Sequence, residues 1–262
     1  MLALVAAAGA LALASVIRGV DRHGAVVQDF TIHSRLLHRT LSETQVVPPQ
    51  APKTGAPLLL LLHGRGSGPH SLESPGLFRG LARLGARAPV VVLVNGDDDS
   101  YYHDRGTGRW GSYVVREVLP AAIRRLHADP RRVAIGGISM GGFGALDLAR
   151  LNPGRFCAAG GHSAAIFFSG PTSAPGAFDD GADFARHDLL ALARRRGRAL
   201  FDSRTKIWLD AGVSVPFRPA LRQLAAALHV PLHGWPGGHE GSYWSAHMPA
   251  YLRFYARALA DC

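Results

Sequence analysis

Apolar residues follow two different patterns along the chain. Residues 25–32 and 41–47 mix β-branched and polar side chains, as strands with one exposed face do. Residues 47–57 carry four prolines and predict a loop. From residue 58 onward short apolar runs recur, and they predict strands at 58–62, 90–94, 133–135, 157–160, 206–209 and 230–235.

Amphipathic segments separate these later strands. They predict helices at 77–84, 110–127, 141–151, 184–195, 216–228 and 242–260. Strands that alternate with helices form a largely parallel sheet with helices on both faces, and ligands bind at the carboxyl ends of its strands. We therefore expect an α/β fold and look for chemistry in the loops that follow strands.

The amino terminus has a separate character. Residues 1–17 contain no charged side chain, and as a helix they would run about 25 Å, slightly less than a membrane span. No Lys or Arg precedes this run as in a signal peptide, and Arg18 and Arg22 follow it. We expect residues 1–24 to direct export or membrane anchoring, and residues 25–262 to form one domain. A buried terminal helix in a cytoplasmic protein is the alternative.

Composition excludes several other classes. The chain of 262 residues has 29 Lys+Arg against 19 Asp+Glu and a formal charge of +10, but its arginines are scattered without interleaved aromatics. We therefore predict no nucleic-acid binding. Two cysteines make no disulfide framework, and the thirteen histidines form no HExxH motif, so we predict no metal and no cofactor. The acidic run at 97–99 with His103 and Asp104 favours a solvated loop over a cation site.

The strongest chemical signal is the sequence GGISMGG at 136–142. It lies between a predicted strand and a predicted helix, which is the context of a nucleophile elbow. Small flanking residues permit the tight turn, and the turn lifts Ser139 above the sheet at the amino end of a helix. We therefore predict that Ser139 is a catalytic nucleophile, and a plain glycine-rich turn is the alternative.

Two further loops supply partners for such a serine. A tetrahedral intermediate needs two N–H donors, and we assign them to the backbones of Met140 and of Arg65, which lies in HGRG directly after strand 58–62. The base in this fold is a histidine near the end of the chain. His239 follows the last predicted strand, whereas His233 and His247 lie inside predicted elements, so we predict that His239 is the base.

These motifs together resemble a known family. HGRG at 63–66, WGSY at 110–113, GGISMGG and GGHEGSYW at 237–244 are similar to the putative-esterase family of the α/β-hydrolase superfamily. That family includes S-formylglutathione hydrolases, feruloyl esterases and mycolyltransferases of the antigen 85 type, and the resemblance extends from about residue 58 to residue 255. It implies an α/β-hydrolase fold and hydrolysis or transfer of acyl groups without a cofactor.

The sequence departs from the family at the catalytic acid. Members typically carry an aspartate three residues after a glycine that follows the next-to-last strand. In the corresponding segment, DAGVSVPF at 210–217, Val215 stands at that position. A valine cannot accept a hydrogen bond from an imidazole. Asp210 is the nearest replacement, and Glu240 is a weaker candidate because neighbouring side chains seldom face each other.

The sequence thus predicts a serine hydrolase of carboxylic esters or thioesters, acting on a small acyl substrate. The alternatives are an impaired relative that binds acyl compounds or a partner, and an acyltransferase. Loops 100–110 and 167–188 are expected to border the substrate pocket. Aromatic residues in these loops and in the last helix are expected to supply its wall, namely Tyr101, Tyr102, Phe167, Phe168, Phe178 and Trp244.

Overall fold

The structure is a computed structural model that describes residues 19–262. The expected export or anchor segment therefore lies almost wholly outside the described residues. No helix of the described part is both long and apolar enough to cross a bilayer. The strands are β1 (Val26–Ser34), β2 (Arg39–Val47), β3 (Ala56–Leu62), β4 (Val90–Val94), β5 (Asp104–Arg105), β6 (Gly108–Arg109), β7 (Ala128–Ile138), β8 (Ala158–His162), β9 (Lys206–Asp210) and β10 (Leu232–His233).

Eight of these strands form one sheet in the order β1–β2–β4–β3–β7–β8–β9–β10. The first pair, β1 with β2, and the contact of β2 with β4 are antiparallel. Every pairing from β4 to β10 is parallel. The carboxyl ends of the parallel strands therefore meet along one edge, where the predicted functional loops follow them.

Helices cover both faces of the sheet. They are α1 (Pro75–Leu84), α2 (Trp110–Tyr113), α3 (Leu119–Leu126), α4 (Met140–Leu151), α5 (Gly181–His187), α6 (Leu189–Arg196), α7 (Arg218–Leu228) and α8 (Gly241–Ala260). Two clusters of buried apolar residues fill the spaces between helices and sheet, one on each face. All seven residues of β3 are buried, because this strand is central and covered on both sides.

Three local features differ from the sequence-based expectations. The helix predicted at 184–195 is two helices, because Asp188 leaves the helical conformation and its side chain caps α6 by accepting from the Ala191 N–H. The helix predicted at 110–127 contains a π-helical turn, Val114–Val118, between α2 and α3. The short β5–β6 hairpin was not predicted.

The two cysteines are also joined, which the sequence did not indicate. Cys157 and Cys262 form a disulfide whose Cα atoms lie 5.8 Å apart, and 105 positions separate the two residues. Cys157 directly precedes β8, and Cys262 follows α8. The bond therefore fixes the end of the last helix against the amino end of a central strand.

Candidate active site

Ser139 occupies a sharp turn between β7 and α4. Its backbone has φ 56° and ψ −114°, a conformation that residues other than glycine rarely adopt. The turn depends on its flanking glycines: a Cβ on Gly137 would lie 2.3 Å from the Gly141 carbonyl, and one on Gly141 would lie 2.2 Å from the Leu62 carbonyl oxygen. The predicted nucleophile elbow is therefore present in geometry as well as in sequence.

His239 lies directly against this serine. The Ser139 hydroxyl lies 2.9 Å from His239 Nε2, within hydrogen-bond distance, although the two residues are 100 positions apart. His239 belongs to the loop that connects β10 to α8. Partial burial lowers the pKa of the His239 imidazole. The ring is therefore neutral near pH 7, and its Nε2 is placed to accept the serine proton.

The two predicted oxyanion donors, the backbone N–H groups of Met140 and Arg65, lie in the segments that follow β7 and β3. Met140 is the first residue of α4, so its N–H has no partner inside the helix. Arg65 lies in the loop after β3 and lines a cleft of about 400 Å³ together with Ser139 and His239. Its N–H makes no hydrogen bond within residues 19–262, and its side chain donates to the Pro175 carbonyl at 2.9 Å. Among the described residues both N–H groups thus lack a backbone partner, as the donors of an oxyanion hole must.

Asp210 does not contact His239. It is fully buried at the end of β9, where its carboxylate accepts from His162 Nδ1 at 2.6 Å, Trp208 Nε1 at 2.9 Å and the Tyr251 hydroxyl at 2.8 Å. These donors occupy both carboxylate oxygens. Our expectation that Asp210 pairs with the catalytic base is therefore corrected, since its side chain belongs to the core below the elbow.

No carboxylate in the described part of the chain hydrogen-bonds to His239. Val215, at the family's acid position, is 3% exposed and packs in the core cluster of its face of the sheet. Glu240 accepts from the Gly238 N–H at 3.4 Å. Within residues 19–262 the contact between Ser139 and His239 thus has no side-chain carboxylate beside the imidazole.

Two aromatic rings bracket the base instead. The ring of Trp244 lies 5.0 Å from that of His239 at 87°, and the ring of Phe217 lies 5.4 Å away at 72°. Trp244 is itself fixed, because its indole N–H donates to the Ser163 hydroxyl at 3.2 Å. The sequence analysis did not predict this contact with His239. The motif GGHEGSYW places Trp244 five residues after the histidine, as the fourth residue of α8.

Comparison with known proteins identifies the family of the chain. A family model described as "Putative esterase" matches residues 42–255. The chain belongs to this esterase family.

An esterase of Mycobacterium tuberculosis (strain H37Rv) is 31% identical over 115 residues, which is 41% of this chain and 25% of that protein. The S-formylglutathione hydrolase of Rattus norvegicus is 29% identical over 134 residues, 42% of this chain and 46% of the other. The matched segments thus span less than half of these curated relatives.

Solved structures show the fold. A ferulic acid esterase superposes with a TM-score of 0.74 at 22% identity, covering 89% of this chain and 99% of the other. The S-formylglutathione hydrolase of Agrobacterium tumefaciens gives 0.74 at 21% identity, over 90% and 96% of the two chains. This member of the esterase family therefore has the α/β-hydrolase fold predicted from its motifs.

The substrate cleft of this esterase-family chain differs from the expected aromatic pocket. Of the six aromatic residues predicted for its wall, Trp244 lines the cleft beside Ser139, together with Ser67, Ser71 and Leu72. Tyr102 is fully buried, and its hydroxyl accepts from the His63 N–H at 3.0 Å. Tyr101 packs against the ring of Phe143 instead. Most of the expected wall is therefore core, and both polar and apolar side chains line the cleft.

Proposed function

We propose that the chain is a serine hydrolase that cleaves carboxylic esters or thioesters through an acyl-enzyme on Ser139. The observation that carries the proposal is the 2.9 Å contact between Ser139 Oγ and His239 Nε2. His239 takes the serine proton as Oγ attacks the acyl carbon, and the backbone N–H groups of Arg65 and Met140 bind the oxyanion. The imidazolium then protonates the departing alkoxide or thiolate, and water releases the acid by the same steps in reverse.

The aromatic bracket orients the base in place of an acid. The edge-to-face contacts of His239 with Trp244 and Phe217 restrict rotation of the imidazole, although they add no negative charge. In serine-protease triads the loss of a proper acid lowers turnover on the order of 10⁴-fold. That corresponds to about 5 kcal/mol of transition-state stabilisation. We therefore expect turnover well below that of a complete triad, yet above the uncatalysed rate.

A fluorophosphonate probe tests the proposal directly, because it reacts with activated serines. We expect one label per chain, lost in Ser139→Ala and retained in Ser71→Ala, a serine that lines the same cleft. Hydrolysis of p-nitrophenyl acetate and of a thioester should also be lost in Ser139→Ala. Labelling that survives Ser139→Ala would contradict the proposal.

A second candidate function follows from the missing acid. No described carboxylate stabilises the His239 imidazolium, which favours an impaired relative that binds acyl compounds without turning them over. The probe separates the two functions. A folded wild type that binds an ester and neither reacts with the probe nor hydrolyses the ester would support the binding protein.

We also propose that the protein is exported or membrane-anchored. The Cys157–Cys262 disulfide supports this, because structural disulfides persist in oxidising compartments and are rare in the cytosol. The uncharged sequence of residues 1–17 supports it as well. Fractionation of cells that express the full chain should recover it outside the cytosol with no free thiol. A cytosolic, fully reduced protein would contradict this localisation.

A further inference from the structure

A cluster of histidine and aspartate side chains lies outside the catalytic cleft. His103, in the loop between β4 and β5, meets Asp183 and His187 of α5, and all three are buried. His103 Nε2 lies 3.0 Å from Asp183 Oδ2, and His187 Nε2 lies 3.7 Å from Asp183 Oδ1. None of the three residues lines the cleft that contains Ser139.

These separations suit a small divalent cation. Zn²⁺ binds imidazole nitrogen and carboxylate oxygen at about 2.0–2.2 Å, which places neighbouring ligand atoms of a tetrahedral site about 3.3 Å apart. The two separations involve different oxygens of Asp183, and one ligand atom from each of the three residues lies within 4.8 Å of the others. The ring centroids of His103 and His187 are 4.4 Å apart, so the two imidazoles also pack against each other.

The surroundings of the cluster have the arrangement of an outer ligand shell. His187 Nδ1 donates to Asp147 Oδ2 at 2.8 Å, and Arg150 holds the same carboxylate through its other oxygen at 2.7 Å. A metal-bound histidine commonly donates its second ring N–H to a carboxylate in this way, which fixes the tautomer and leaves the other nitrogen for the metal. Asp183 is fixed by the Asp179 N–H at 2.9 Å.

The other ring nitrogen of His103, which is not the one that contacts Asp183, has no partner among the described residues. His103 Nδ1 is the one buried side-chain nitrogen or oxygen of residues 19–262 that lacks a hydrogen-bond partner. Buried polar atoms without a partner are rare and call for an explanation, such as an ion or a water. A cleft of about 230 Å³, lined by His103 and His187 with Ser112 and Asn152, reaches the cluster and offers a path of entry.

We propose that His103, Asp183 and His187 bind a structural Zn²⁺ ion, with water from the adjoining cleft as the fourth ligand. Two imidazoles and one carboxylate form a donor set that zinc accepts in proteins. Arg186 donates to Asp183 Oδ1 at 3.0 Å, but its side chain is 63% exposed and is free to turn to solvent. The ion would join the β4–β5 loop to α5, and the contact of His187 with Asp147 would extend this link to α4, the helix that begins beside Ser139.

The experiment measures metal on the purified full chain. The protein is stripped with a chelator, incubated with Zn²⁺, dialysed and analysed for bound metal, and it is titrated in parallel with Co²⁺. We expect one zinc per chain and the visible absorption of four-coordinate Co²⁺. Both should be lost in His103→Gln and in His187→Gln. Asp147→Asn should lower the affinity for zinc about 10- to 100-fold, as expected when a carboxylate that bonds to a metal-bound histidine is removed.

His70→Gln is the matched control, because His70 also lies against two carboxylates, Asp29 and Glu73, but is exposed. It should bind zinc as the wild type does. Equal loss in this control would overturn the assignment. If the variants at His103 and His187 fail to fold, metal binding by the wild type tests the proposal by itself. A wild type that retains no stoichiometric zinc and gives no four-coordinate Co²⁺ absorption has no such site.

Discussion

The carboxylate of Asp210 accepts a hydrogen bond from the imidazole of His162 at 2.6 Å. The backbone carbonyl of His162 in turn accepts the N–H of Ser139 at 2.9 Å. The ring of His162 stacks on Tyr251 at 3.6 Å, and its Nε2 accepts from the Tyr255 hydroxyl at 2.8 Å. The network below the elbow thus reaches the backbone of Ser139, and the Asp210 carboxylate bonds to groups other than His239.

Replacing Asp210 should therefore affect stability more than base chemistry. In Asp210→Asn the amide oxygen can keep the bonds from His162 and Trp208, but an NH₂ group replaces the oxygen that accepts from the Tyr251 hydroxyl, and the negative charge beside His162 is lost. We expect a loss of about 3 kcal/mol in the free energy of unfolding, measured with urea. The pH midpoint of kcat/KM should stay unchanged in the folded variant. A fall in kcat of more than 10³-fold at unchanged stability would instead place Asp210 in contact with the base during the reaction.

Restoring the family acid should raise turnover. Val215→Asp introduces a carboxylate where relatives carry the acid, and it would stabilise the His239 imidazolium that forms in the transition state. We expect kcat for p-nitrophenyl acetate to rise at least tenfold, with about 10⁴-fold as the upper limit. Val215→Asn is the control for polarity without charge. No increase in a folded Val215→Asp variant would mean that the valine is not what limits turnover.

The sharp turn at Ser139 and the loops that hold His239 and Arg65 were predictable because each rests on a local motif. Ser139 is marked by its flanking glycines, and His239 and Arg65 by loops that directly follow predicted strands. The strands themselves were predictable since their apolar runs are buried on both faces, as in β3. These signals act over a few residues, which is the range that a single sequence reveals.

The role of Asp210 was not predictable because the register of the sheet decides it. Asp210 pairs with His162 of β8 and with His233 of β10, and this register directs its side chain into the core. Similarly, His103 is 80 positions from Asp183, and Cys157 is 105 positions from Cys262. Such contacts depend on how whole elements pack, and no local pattern marks them.

Activity should depend on the protonation of His239. Partial burial disfavours its charged form and lowers the pKa of the ring below its ordinary value of 6.5. Because only the neutral ring accepts the serine proton, kcat/KM should rise with pH through a midpoint below 6.5 and stay level above it. A carboxylate beside the ring would favour the charged form, so Val215→Asp should move the midpoint upward. A wild-type midpoint above 6.5 would contradict the absence of an acid.

The aromatic bracket should contribute to kcat, and KM should change as well in Trp244 variants because Trp244 lines the cleft beside Ser139. Trp244→Ala removes the ring that lies 5.0 Å from His239, and misplaced catalytic groups lower rates by up to about 10²-fold. Trp244→Phe keeps an aromatic ring and should recover most of that loss. Trp235→Ala is the matched control, since Trp235 stacks on His247 instead. Equal effects of Trp235→Ala and Trp244→Ala on kcat would show general destabilisation, which contradicts a specific positioning role.

A buried glutamate far from the catalytic residues should make stability depend on pH. Glu43 of β2 is fully buried, and it accepts from the Tyr113 hydroxyl and from the Asn95 N–H at 2.6 Å. Burial raises the pKa of Glu43 from its ordinary value of 4.5 to about 7. The folded state therefore holds this proton more tightly than the unfolded state does.

The sign of the pH effect follows from that difference. The stabilising contribution of protonated Glu43 is complete below pH 4.5 and is lost as the pH rises toward and through about 7. Glu43→Gln keeps a neutral group that can donate to the Tyr113 oxygen and accept from Asn95. Urea unfolding at pH 8 should show Glu43→Gln more stable than the wild type by about 3 kcal/mol, with equal stability near pH 4. Glu240→Gln, an exposed glutamate, should show no such difference, and a Glu43→Gln variant less stable at pH 8 would contradict a protonated Glu43 in the folded state.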